Sequence, residues 1–399
     1  MVVVAEFYPS QRDPVMGIWA HRQALAARDA GAQVRVLVLH RVVPPRAAVA
    51  AGPASALGAL RGLAGEPRRQ RRDGLEVAYV SYVSPPRDRF YPSWGAWAAP
   101  PLALALQVAA RAQPIDVIHA HNAVPAGDAV RRTHAKTPLI VSVHGGDVLY
   151  TARRSEAGAQ AVARGLGAAR LVLANSHGIA EQALADGATD ARVLHLGTDL
   201  PPAQRPVASM PAQPGTATAP TLVTVAHLVA RKRHADVMRA LAVLRARHPQ
   251  LRYAIVGDGP ERAALEGLAS RLEVTDRVDF LGQLPPTEAT ACARRCTLMV
   301  MPSTEEAFGV AYIEAMAGAV PAIGCRGEPG PEEIAAAGDG FLLVPPGDIE
   351  RLSQRIDELL SDPQRLREAG QRARATVAAS FTWERCGEQT LAAYRDVLR

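Results

Sequence analysis

The feature that most constrains the fold is a regular alternation of short β-branched stretches with helical segments rich in Ala, Leu and Arg. In the first half, the stretches with the composition of buried strands are residues 1–5, 33–39, 77–83, 116–119, 138–143, 171–175 and 191–196. Amphipathic helices such as residues 18–30 separate them. Strands joined by helical crossovers run parallel, so this half predicts a doubly wound α/β sheet.

The alternation begins again after residues 201–220, a segment rich in Pro, Ala, Gly and Thr without periodicity. The later strand-like stretches are residues 221–226, 253–256, 277–281, 298–302, 319–325 and 340–344. We therefore predict two Rossmann-like domains, residues 1–200 and 221–381, joined by a linker at 201–220. A final helix over residues 382–399 is expected to pack back on the first domain. Two such domains face each other across a cleft that receives ligands.

Composition limits the class of partner. A chain of 399 residues with 48% hydrophobic residues fills two cores of about 150–200 residues each. The net charge of +6 comes almost entirely from Arg, since Lys136 and Lys232 are the only lysines. Either GC-rich coding or an anionic partner explains this charge. Aromatic residues make up only 5% and no basic-aromatic stacking motif occurs, so no nucleic-acid partner is predicted.

Three features predict a cytoplasmic protein. The chain opens with a strand-like apolar run rather than a charged segment before a long apolar one. Residues 97–112 are apolar but are interrupted by Pro100 and Pro101, and they are too short to span a bilayer. The four cysteines do not have the spacing of a disulfide framework or of a metal site.

Residues 41–74 form a long insertion that fits neither predicted sheet, with a basic end at Arg68, Arg69, Arg71 and Arg72. One interpretation is a mobile solvated loop. The other is a flap over the site of an acceptor, the molecule that would receive a transferred group. A further possibility is a patch that binds anionic lipid and makes the protein peripheral on the inner face of a membrane.

Residues 301–320 contain two glutamates, Glu306 and Glu314, on either side of a helix start at Gly309. The residues after Gly309 are strong helix formers with a repeating apolar face. The free N–H groups of such a helix start favour an anion beside Glu306. This stretch therefore has the groups that a nucleoside diphosphate sugar needs.

Basic residues and glycines follow the first strands of the second half. Arg231 and Lys232 lie in the first βα loop, where phosphate is usually held, and two cations there would neutralise a diphosphate leaving group. A solvated basic turn is the alternative. Gly257 belongs to a Gly-Asp-Gly turn at the predicted cleft edge, and Asp258 is interpreted as a helix cap.

In the first half, His144 follows a predicted strand and precedes two glycines, which suggests a cleft position. A buried structural histidine is the alternative. Asp147 is interpreted as a local helix cap. His119 and His121 are separated by one residue at a strand end, without nearby carboxylates, which is a poor metal pattern. We assign them to packing or to contact with an acceptor.

Gly17 lies between the first strand and its helix, where backbone meets a diphosphate across the predicted cleft. His21 and Arg22 begin that helix and either face the acceptor or are ordinary first-turn residues. Nowhere are two aspartates separated by one residue, the pattern of many metal-dependent nucleotide-sugar enzymes. No Walker motif or G-x-S-x-G elbow occurs, so kinases, ATPases and serine hydrolases lose support.

Taken together, these motifs resemble the retaining GT-B glycosyltransferases of the group 1, or family-4, class. The resemblance runs nearly end to end and is carried by EFYPSQRDPVMGIWAHRQALAARDAGAQV, DVIHAHNAVPAG, VSVHGGDV, LVLANSHGIAEQ, VLHLGTDL, HLVARKRHADVMRAL, YAIVGDGPERAAL, VDFLGQLP, PSTEEAFGVAYIEAMAGAVPAIG and DGFLLVPPGD. The E-x7-E segment, combined with the upstream ARK and VGDGP, is the specific part.

The resemblance implies roles for individual residues. Glu306 would contact hydroxyls of the donor sugar, helped by the amides of Phe308, Gly309 and Val310, which stand in sequence beside it. Glu314 would bind the ribose diol, while Lys232 and Arg231 would hold the diphosphate. Gly257 would line the donor site. Gly17 would approach the diphosphate from the first domain, and His144 would lie beside the transferred sugar.

Two departures from the family pattern stand out. Residues 226–228 read Ala-His-Leu where the family commonly has Gly-Arg-Leu, so His227 replaces the usual phosphate-binding arginine. Residues 196–199 read Leu-Gly-Thr-Asp where Asn-Gly-Val-Asp is common, which leaves the role of Asp199 open.

The sequence thus predicts a glycosyltransferase that needs no metal or other cofactor and retains the anomeric configuration. It would move a sugar from a nucleoside diphosphate to a hydroxyl of a glycan or lipid-linked glycan, in polysaccharide or cell-envelope biosynthesis. Two alternatives remain at this point: a nucleotide-sugar 2-epimerase, which converts the donor alone, and a non-catalytic protein that binds nucleotide sugar or glycan.

Overall fold

The structure is a computed structural model that describes residues 1–10, 13–65, 67–202 and 219–399. The described residues divide into an N-terminal unit, Met1–His195 with Cys386–Arg399, and a C-terminal unit, Leu196–Arg385. Each unit contains one sheet, so the predicted pair of doubly wound sheets is confirmed. Most of the predicted linker, residues 203–218, lies outside the described residues, and the predicted cleft stays a prediction.

The described part of the N-terminal unit has an eight-stranded sheet. Its strands are β1 Val2–Ala5, β2 Arg35–Arg41, β3 Arg69–Arg72, β4 Leu75–Tyr82, β5 Ile118–His121, β6 Leu139–Val143, β7 Leu171–Ala174 and β8 Ala191–Val193. The spatial order is β3-β4-β2-β1-β5-β6-β7-β8. All neighbours pair in parallel except β3 and β4. The chain order therefore reverses between β1 and β5.

Helices cover this sheet because each strand must return to the same edge before the next parallel strand begins. They are α1 Ile18–Asp29, α2 Arg46–Ala50, α3 Pro53–Ala64, α4 Arg87–Phe90, α5 Trp94–Ala112, α6 Asp128–Arg132, α7 Ala152–Arg154, α8 Glu156–Gly167 and α9 His177–Ala185. Helix α5 continues through Pro100 and Pro101, so the expected interruption there is wrong. The packing of its buried face, which includes Leu102 and Leu106, stabilises the helix where the two prolines lack N–H groups.

Among the described residues, none of the helices combines the length and the apolar character that crossing a membrane requires.

The expectation that residues 41–74 fit neither sheet is wrong. This segment forms α2 and α3 and then β3, which pairs antiparallel with β4 at the sheet edge. Specific contacts hold it there: Gln70 Nε2 donates to Tyr79 Oη (2.6 Å), and Arg72 Nη1 donates to the Pro9 carbonyl oxygen (2.6 Å). Charged side chains suit an edge strand because they face water and oppose pairing with another chain.

The described C-terminal unit has a six-stranded parallel sheet in the order β11-β10-β9-β12-β13-β14. Its strands are β9 Thr221–Val225, β10 Arg252–Val256, β11 Val278–Gly282, β12 Leu298–Val300, β13 Ala322–Cys325 and β14 Phe341–Val344. The helices of this part are α10 His234–Leu244, α11 Arg262–Arg271, α12 Pro286–Arg295, α13 Val310–Ala317, α14 Pro329–Ala337, α15 Ile349–Leu360 and α16 Pro363–Ser380. The chain order reverses between β9 and β12, as in a dinucleotide-binding sheet.

The last helix, α17 (Trp383–Val397), lies in the N-terminal unit from Cys386 onward. A Cβ atom on Gly387 would lie 2.2 Å from the carbonyl oxygen of Ala26, so only glycine permits this close approach of α17 to α1. Gln23 Nε2 also donates to Thr390 Oγ1 at 3.3 Å. The end of the chain is therefore built into the N-terminal unit.

Candidate functional site

In the C-terminal unit, Lys232 and Glu306 follow the two strands between which the chain order reverses. Lys232 ends the short 3₁₀ helix Ala230–Lys232 after β9, and Glu306 lies in the loop between β12 and α13. In open α/β sheets, ligands bind at the carboxyl edge where the chain order reverses in this way. The fold therefore brings together two residues that are 74 positions apart.

Lys232 Nζ and the Glu306 carboxylate form an ion pair. Their side chains are only 12% and 10% exposed, and Ser303 Oγ donates to Glu306 Oε2 at 3.0 Å. Burial alone raises the pKa of Glu306, but the Lys232 ammonium and the hydrogen bonds from Lys232 and Ser303 outweigh it and lower the pKa. The site therefore holds a fully ionised carboxylate beside a cation, shielded from water.

The backbone around Glu306 is fixed by residues that sequence reasoning missed. Glu306 N donates to Glu328 Oε2 at 2.9 Å, and Gly330 N donates to the Glu306 carbonyl oxygen at 3.0 Å. A Cβ on Gly330 would lie 2.2 Å from Phe308 Cα. Residues 328–330 thus lock the loop in place, and no local pattern in residues 301–320 indicates this partner.

Helix α13 begins at Val310, directly after the start predicted at Gly309. Gly309 precedes it in the left-handed conformation (φ 87°), and a Cβ there would lie 2.4 Å from the Tyr312 ring. The Phe308 ring is buried and packs edge-on against Phe381, with 5.7 Å between centroids. The glycine lets the chain turn sharply, so that the helix begins directly after the Glu306 loop.

Arg231 lies against the same loop, because its carbonyl oxygen accepts from Thr304 N at 2.8 Å.

Glu314 is on the second turn of α13, and its carbonyl oxygen accepts from Arg294 Nε at 3.0 Å. Arg294 Nη2 also donates to Thr198 Oγ1 (3.3 Å) and to the Asp199 carbonyl oxygen. Asp199 thus contributes backbone to the anchoring of this arginine.

Gly257 is required by a close backbone contact. It has φ 142°, and a Cβ there would lie 2.0 Å from the Ala226 carbonyl oxygen. The expected cap at Asp258 is wrong: its Oδ1 accepts from its neighbour Gly259 N (2.7 Å), while α11 begins only after Glu261. The side chain of His227, which stands where the family has arginine, is exposed.

The N-terminal unit has its own reversal of chain order, between β1 and β5. Gly17 begins α1 with φ 78°, and a Cβ there would lie 2.2 Å from the Phe7 carbonyl carbon. The start of α1 is therefore pressed against the chain that leaves β1. Only glycine fits this position.

Three histidine rings form what we call the histidine column (His119, His121 and His144): two come from β5 and the third directly follows β6. The centroids of His119 and His121 are 4.7 Å apart, and those of His121 and His144 are 5.3 Å apart with an interplanar angle of 7°. His121 Nδ1 lies 3.0 Å from His144 Nε2. Sequence reasoning located His144 at a strand end but did not find this contact.

Two buried carboxyl groups lie near the column. Burial raises the pKa of Asp147 to about 7, although its oxygens accept from Ala123 N (2.9 Å) and Val124 N (3.1 Å). It thus fixes the loop after β5, and the local helix cap expected for it is wrong. Burial also raises the pKa of Glu6 to about 7, and Tyr91 Oη donates to its Oε2 at 2.8 Å. Glu6 directly follows a buried strand, a signal that could have found it.

His21 is buried, and both ring nitrogens have partners. Nδ1 lies 2.6 Å from Tyr8 Oη and Nε2 lies 2.7 Å from Asp73 Oδ2. These contacts favour the structural alternative for His21 over contact with an acceptor. Arg22 lies beside it in the first turns of α1 and is half-buried.

Both halves of the chain match known glycosyltransferase families. Residues 16–201 match the family described as Glycosyltransferase Family 4, and residues 209–376 match Glycosyl transferases group 1. Curated relatives include the exopolysaccharide phosphotransferase of Streptomyces coelicolor (37% identity over 39% of this chain and 16% of that protein). Another is the N-acetyl-alpha-D-glucosaminyl L-malate synthase of Bacillus anthracis (34% identity over 45% of this chain and 46% of that protein). The chain spans less than half of the length of these relatives.

Solved structures resemble the whole chain. Sucrose-phosphate synthase from Thermosynechococcus elongatus superposes with a TM-score of 0.74 at 21% identity, over 99% of this chain and 98% of that one. Anabaena HepE, solved in complex with UDP and glucose, gives a TM-score of 0.70 at 19% identity over 99% of both chains. These likenesses concern the fold, which is the GT-B fold. With its two halves matched in order, the chain belongs to the group 1, family-4 type of GT-B glycosyltransferases.

Proposed function

We propose that this protein transfers a sugar from a nucleoside diphosphate to an acceptor hydroxyl, with retention of anomeric configuration and without a metal ion. The observation that carries the proposal is the buried Lys232–Glu306 pair at the reversal of strand order in the C-terminal unit. A diphosphate there would meet a cation already desolvated and oriented, so little reorganisation is needed when charge develops on the leaving group. HepE, which shares the fold, was solved with UDP and with UDP-glucose.

The geometry suggests a binding role for each of these groups in the C-terminal unit. The Lys232 ammonium would bind the diphosphate, with Arg231 beside it, and the ionised Glu306 would accept hydrogen bonds from hydroxyls of the donor sugar. The N–H groups at the start of α13 would add partial positive charge. Glu314, on the second turn of that helix, would bind the ribose diol.

In the N-terminal unit, Gly17 would place the backbone at the start of α1 beside the diphosphate, and His144 would lie beside the transferred sugar. Burial lowers the pKa of His144 to about 4. His144 is therefore neutral at pH 7 and would act as a hydrogen-bond partner rather than as a cation. The acceptor proton would pass to a phosphate oxygen of the donor, so no protein base is needed.

The first test is a thermal-shift panel of UDP-, GDP-, ADP- and dTDP-sugars on the full chain. A ligand at 100 times its dissociation constant stabilises the folded state by about 2.7 kcal/mol, which raises the melting temperature by roughly 5 °C or more. One nucleotide series should stabilise the protein, and no response to any of them would contradict the proposal. Donor turnover without any acceptor, to give an epimer, would instead indicate an epimerase.

Two further tests address the chemistry. With the best donor and a hydroxyl acceptor, NMR of the product should show the anomeric configuration of the donor sugar, and inversion would refute retention. Turnover should be unchanged in excess EDTA. Among the described residues, no group of three or more His, Cys, Asp or Glu is placed to hold a metal ion, but only the chelation experiment decides whether a metal is required.

We also propose a lipid-linked glycan as acceptor and an anionic membrane as the docking surface. Helices α2 and α3 have no buried residues and expose Val49 (57%), Leu57 (47%) and Leu60 (37%). Arg69 and Arg71 of β3 are also exposed, next to Arg68. Apolar side chains beside arginines suit the surface of an anionic bilayer.

The membrane proposal is tested by co-sedimentation with vesicles of phosphatidylglycerol and phosphatidylcholine. Because each cation contributes about 1 kcal/mol near an anionic surface, replacing Arg68, Arg69 and Arg71 by Gln should weaken binding roughly 100-fold. Arg72 is left intact because it anchors the Pro9 carbonyl. The matched control replaces three exposed arginines of α16, Arg365, Arg367 and Arg372. Equal losses in both variants, or no binding by the unmodified protein, would refute the proposal.

A further inference from the structure

The histidine column connects the end of the chain with the end of β6. At one end, His119 Nδ1 lies 2.8 Å from Tyr394 Oη of α17, and its Nε2 lies 2.7 Å from Ser142 Oγ. At the other end, the His144 ring lies near the Trp19 ring, with 6.0 Å between centroids. His121 lies between them, in contact with both. Its ring therefore contacts both other histidines, stacking on His119 and bonding through Nδ1 to His144.

The middle contact of the column is a hydrogen bond between two imidazoles. His121 Nδ1 and His144 Nε2 are 3.0 Å apart, and the angle between the two ring planes is only 7°. Among the described residues, the outer nitrogens, His121 Nε2 and His144 Nδ1, are buried without a hydrogen-bond partner. A buried polar atom without a partner destabilises the folded protein, and a ligand that bonds to it would offset this cost.

The protonation of the column follows from its burial. Burial lowers the pKa of His119 to about 3 and that of His144 to about 4, and it holds the pKa of His121 well below the usual range. Each ring is therefore neutral at pH 7 and carries one hydrogen. One hydrogen then lies between His121 Nδ1 and His144 Nε2, on one side or the other, and its position fixes what His144 Nδ1 offers.

We propose that His121 is a positioning residue: its Nδ1 accepts the Nε2–H of His144, which leaves His144 Nδ1 as an acceptor for a substrate hydroxyl. This inference rests on the proposed function for the identity of the substrate. It makes the requirement at His144 specific, because a ligand group that meets Nδ1 must bring a hydrogen. An ether or carbonyl oxygen at that place leaves the nitrogen unsatisfied.

The direction of the hydrogen bond follows from the two arrangements that are open to the pair. If His144 Nε2–H donates, both rings carry their hydrogen on Nε2, the intrinsically more stable form of a neutral histidine side chain. If His121 Nδ1–H donates, both rings carry it on Nδ1 and both adopt the less stable form. Since no other protein partner holds either outer nitrogen among the described residues, the intrinsic preference decides.

The direct test is NMR of the whole 399-residue chain labelled with ¹⁵N-histidine, without any ligand, at pH 7. Two-bond ¹H–¹⁵N correlations distinguish a protonated ring nitrogen from a bare one, and a His144→Gln sample assigns the signals. The expected result is a protonated Nε2 and a bare Nδ1 on His144. A protonated Nδ1 on His144 would overturn the proposal, whether or not the protein transfers sugar.

Variants of His121 test the positioning role. His121→Asn places an amide oxygen near the position of Nδ1 and can still accept the bond, whereas His121→Phe keeps the ring volume and loses it. In His121→Phe the His144 signals should show mixed protonation, and turnover of the best donor should fall about tenfold or more with little change in KM. His121→Asn should keep the His144 signals and most of the turnover.

Two outcomes keep the test decisive. If His121→Phe does not fold, His121→Gln replaces it, because the longer side chain places its amide near the position of Nε2 and does not reproduce the bond. If the wild-type protein turns over no donor, the proposed function fails while the NMR result stands separately. Equal turnover in the Asn and Phe variants, with unchanged His144 signals, would refute a positioning role.

Discussion

Each unit has a mainly parallel sheet whose chain order reverses once, and the residues at that reversal differ in chemistry between the two units. In the C-terminal unit, the loops at the strand-order reversal carry an ion pair, Lys232 with Glu306, and the pKa of the carboxyl is lowered. In the N-terminal unit, the corresponding edge carries the neutral histidine column, together with Glu6 and Asp147, whose pKa values are raised to about 7. The pKa of the carboxyl at this edge is thus lowered in one unit, whereas burial raises the pKa of the two carboxyls in the other, although Arg87 Nη1 lies 3.6 Å from Glu6 Oε1.

This difference matches the two kinds of ligand that a transferase must hold. A diphosphate is an anion and needs fixed positive charge, while a sugar hydroxyl needs neutral donors and acceptors. A neutral C-terminal site would leave the leaving-group charge without compensation.

Removing the cation of the C-terminal unit should have the largest effect. Lys232→Met should lower donor turnover about 10²–10³-fold, by analogy with the loss of an oxyanion-hole donor. Lys136→Met, at the chain's other lysine, which is exposed, is the matched control and should keep full turnover in the same steady-state assay. Similar turnover in both variants would contradict the assignment of Lys232.

Loss of function must be separated from loss of folding. Lys232→Met leaves the buried Glu306 carboxylate without its ion-pair partner, although Ser303 still donates to it, and breaking a buried pair costs about 3–5 kcal/mol. The double variant Lys232→Met/Glu306→Gln removes both charges. Its melting temperature should return toward that of the wild type while turnover stays low, and restored turnover would show that Lys232 acts only through folding.

The next largest effect concerns the glycines that press one loop against another in each unit. The added Cβ would lie 2.2 Å from the nearest backbone atom in Gly17→Ala and 2.0 Å from it in Gly257→Ala. Both glycines also have a positive φ, which alanine disfavours. Each should reduce the free energy of unfolding by about 2 kcal/mol or more, measured by urea denaturation. Gly58→Ala in α3 meets nothing within 4 Å and should be neutral, or stabilising by up to about 1 kcal/mol. Tolerance at Gly17 or Gly257 would show that the contact is loose.

The smallest effect tests the raised pKa of Glu6. A carboxyl whose pKa rises from 4.5 unfolded to about 7 folded contributes stability that is fully present below pH 4.5 and is lost as pH rises through about 7. Relative to Glu6→Gln, the wild type should therefore lose about 1 kcal/mol between pH 6 and pH 8. Urea denaturation of both proteins at the two pH values measures it, and parallel pH dependences would mean that Glu6 has an ordinary pKa.

Local signals in the sequence predict the sheets well and predict the edge strand badly. Runs such as residues 1–5 and 138–143 are rich in β-branched residues because both faces of a central parallel strand are buried. Strand β3 reads Arg-Gln-Arg-Arg and has no apolar alternation. It pairs with β4, which begins three residues later, and Gln70 and Arg72 also contact Tyr79 and Pro9. The Asp73-Gly74 pair between the two strands, with positive φ at both residues, is a hairpin turn signal that the prediction passed over.

The same limit applies to the site. Lys232, Gly257, Glu306 and His144 follow predicted strands, and the carboxyl end of a strand is a position that can be read locally. Their partners are set by the tertiary fold: His119 meets Tyr394 across 275 positions, and Glu306 N meets Glu328 across 22. The roles of Asp147 and Asp258 were misjudged because both were assumed to cap the nearest helix.

The most direct measurement is isothermal titration of the free nucleoside diphosphate of the best donor into wild type, Lys232→Met and His144→Ala. If charge is held in the C-terminal unit and hydroxyl recognition in the other, Lys232→Met should weaken diphosphate binding about tenfold or more, equivalent to about 1.4 kcal/mol. His144→Ala should leave it within about twofold, well under 1 kcal/mol on the same scale. Unchanged binding to Lys232→Met, or a large loss in His144→Ala, would contradict this division of roles.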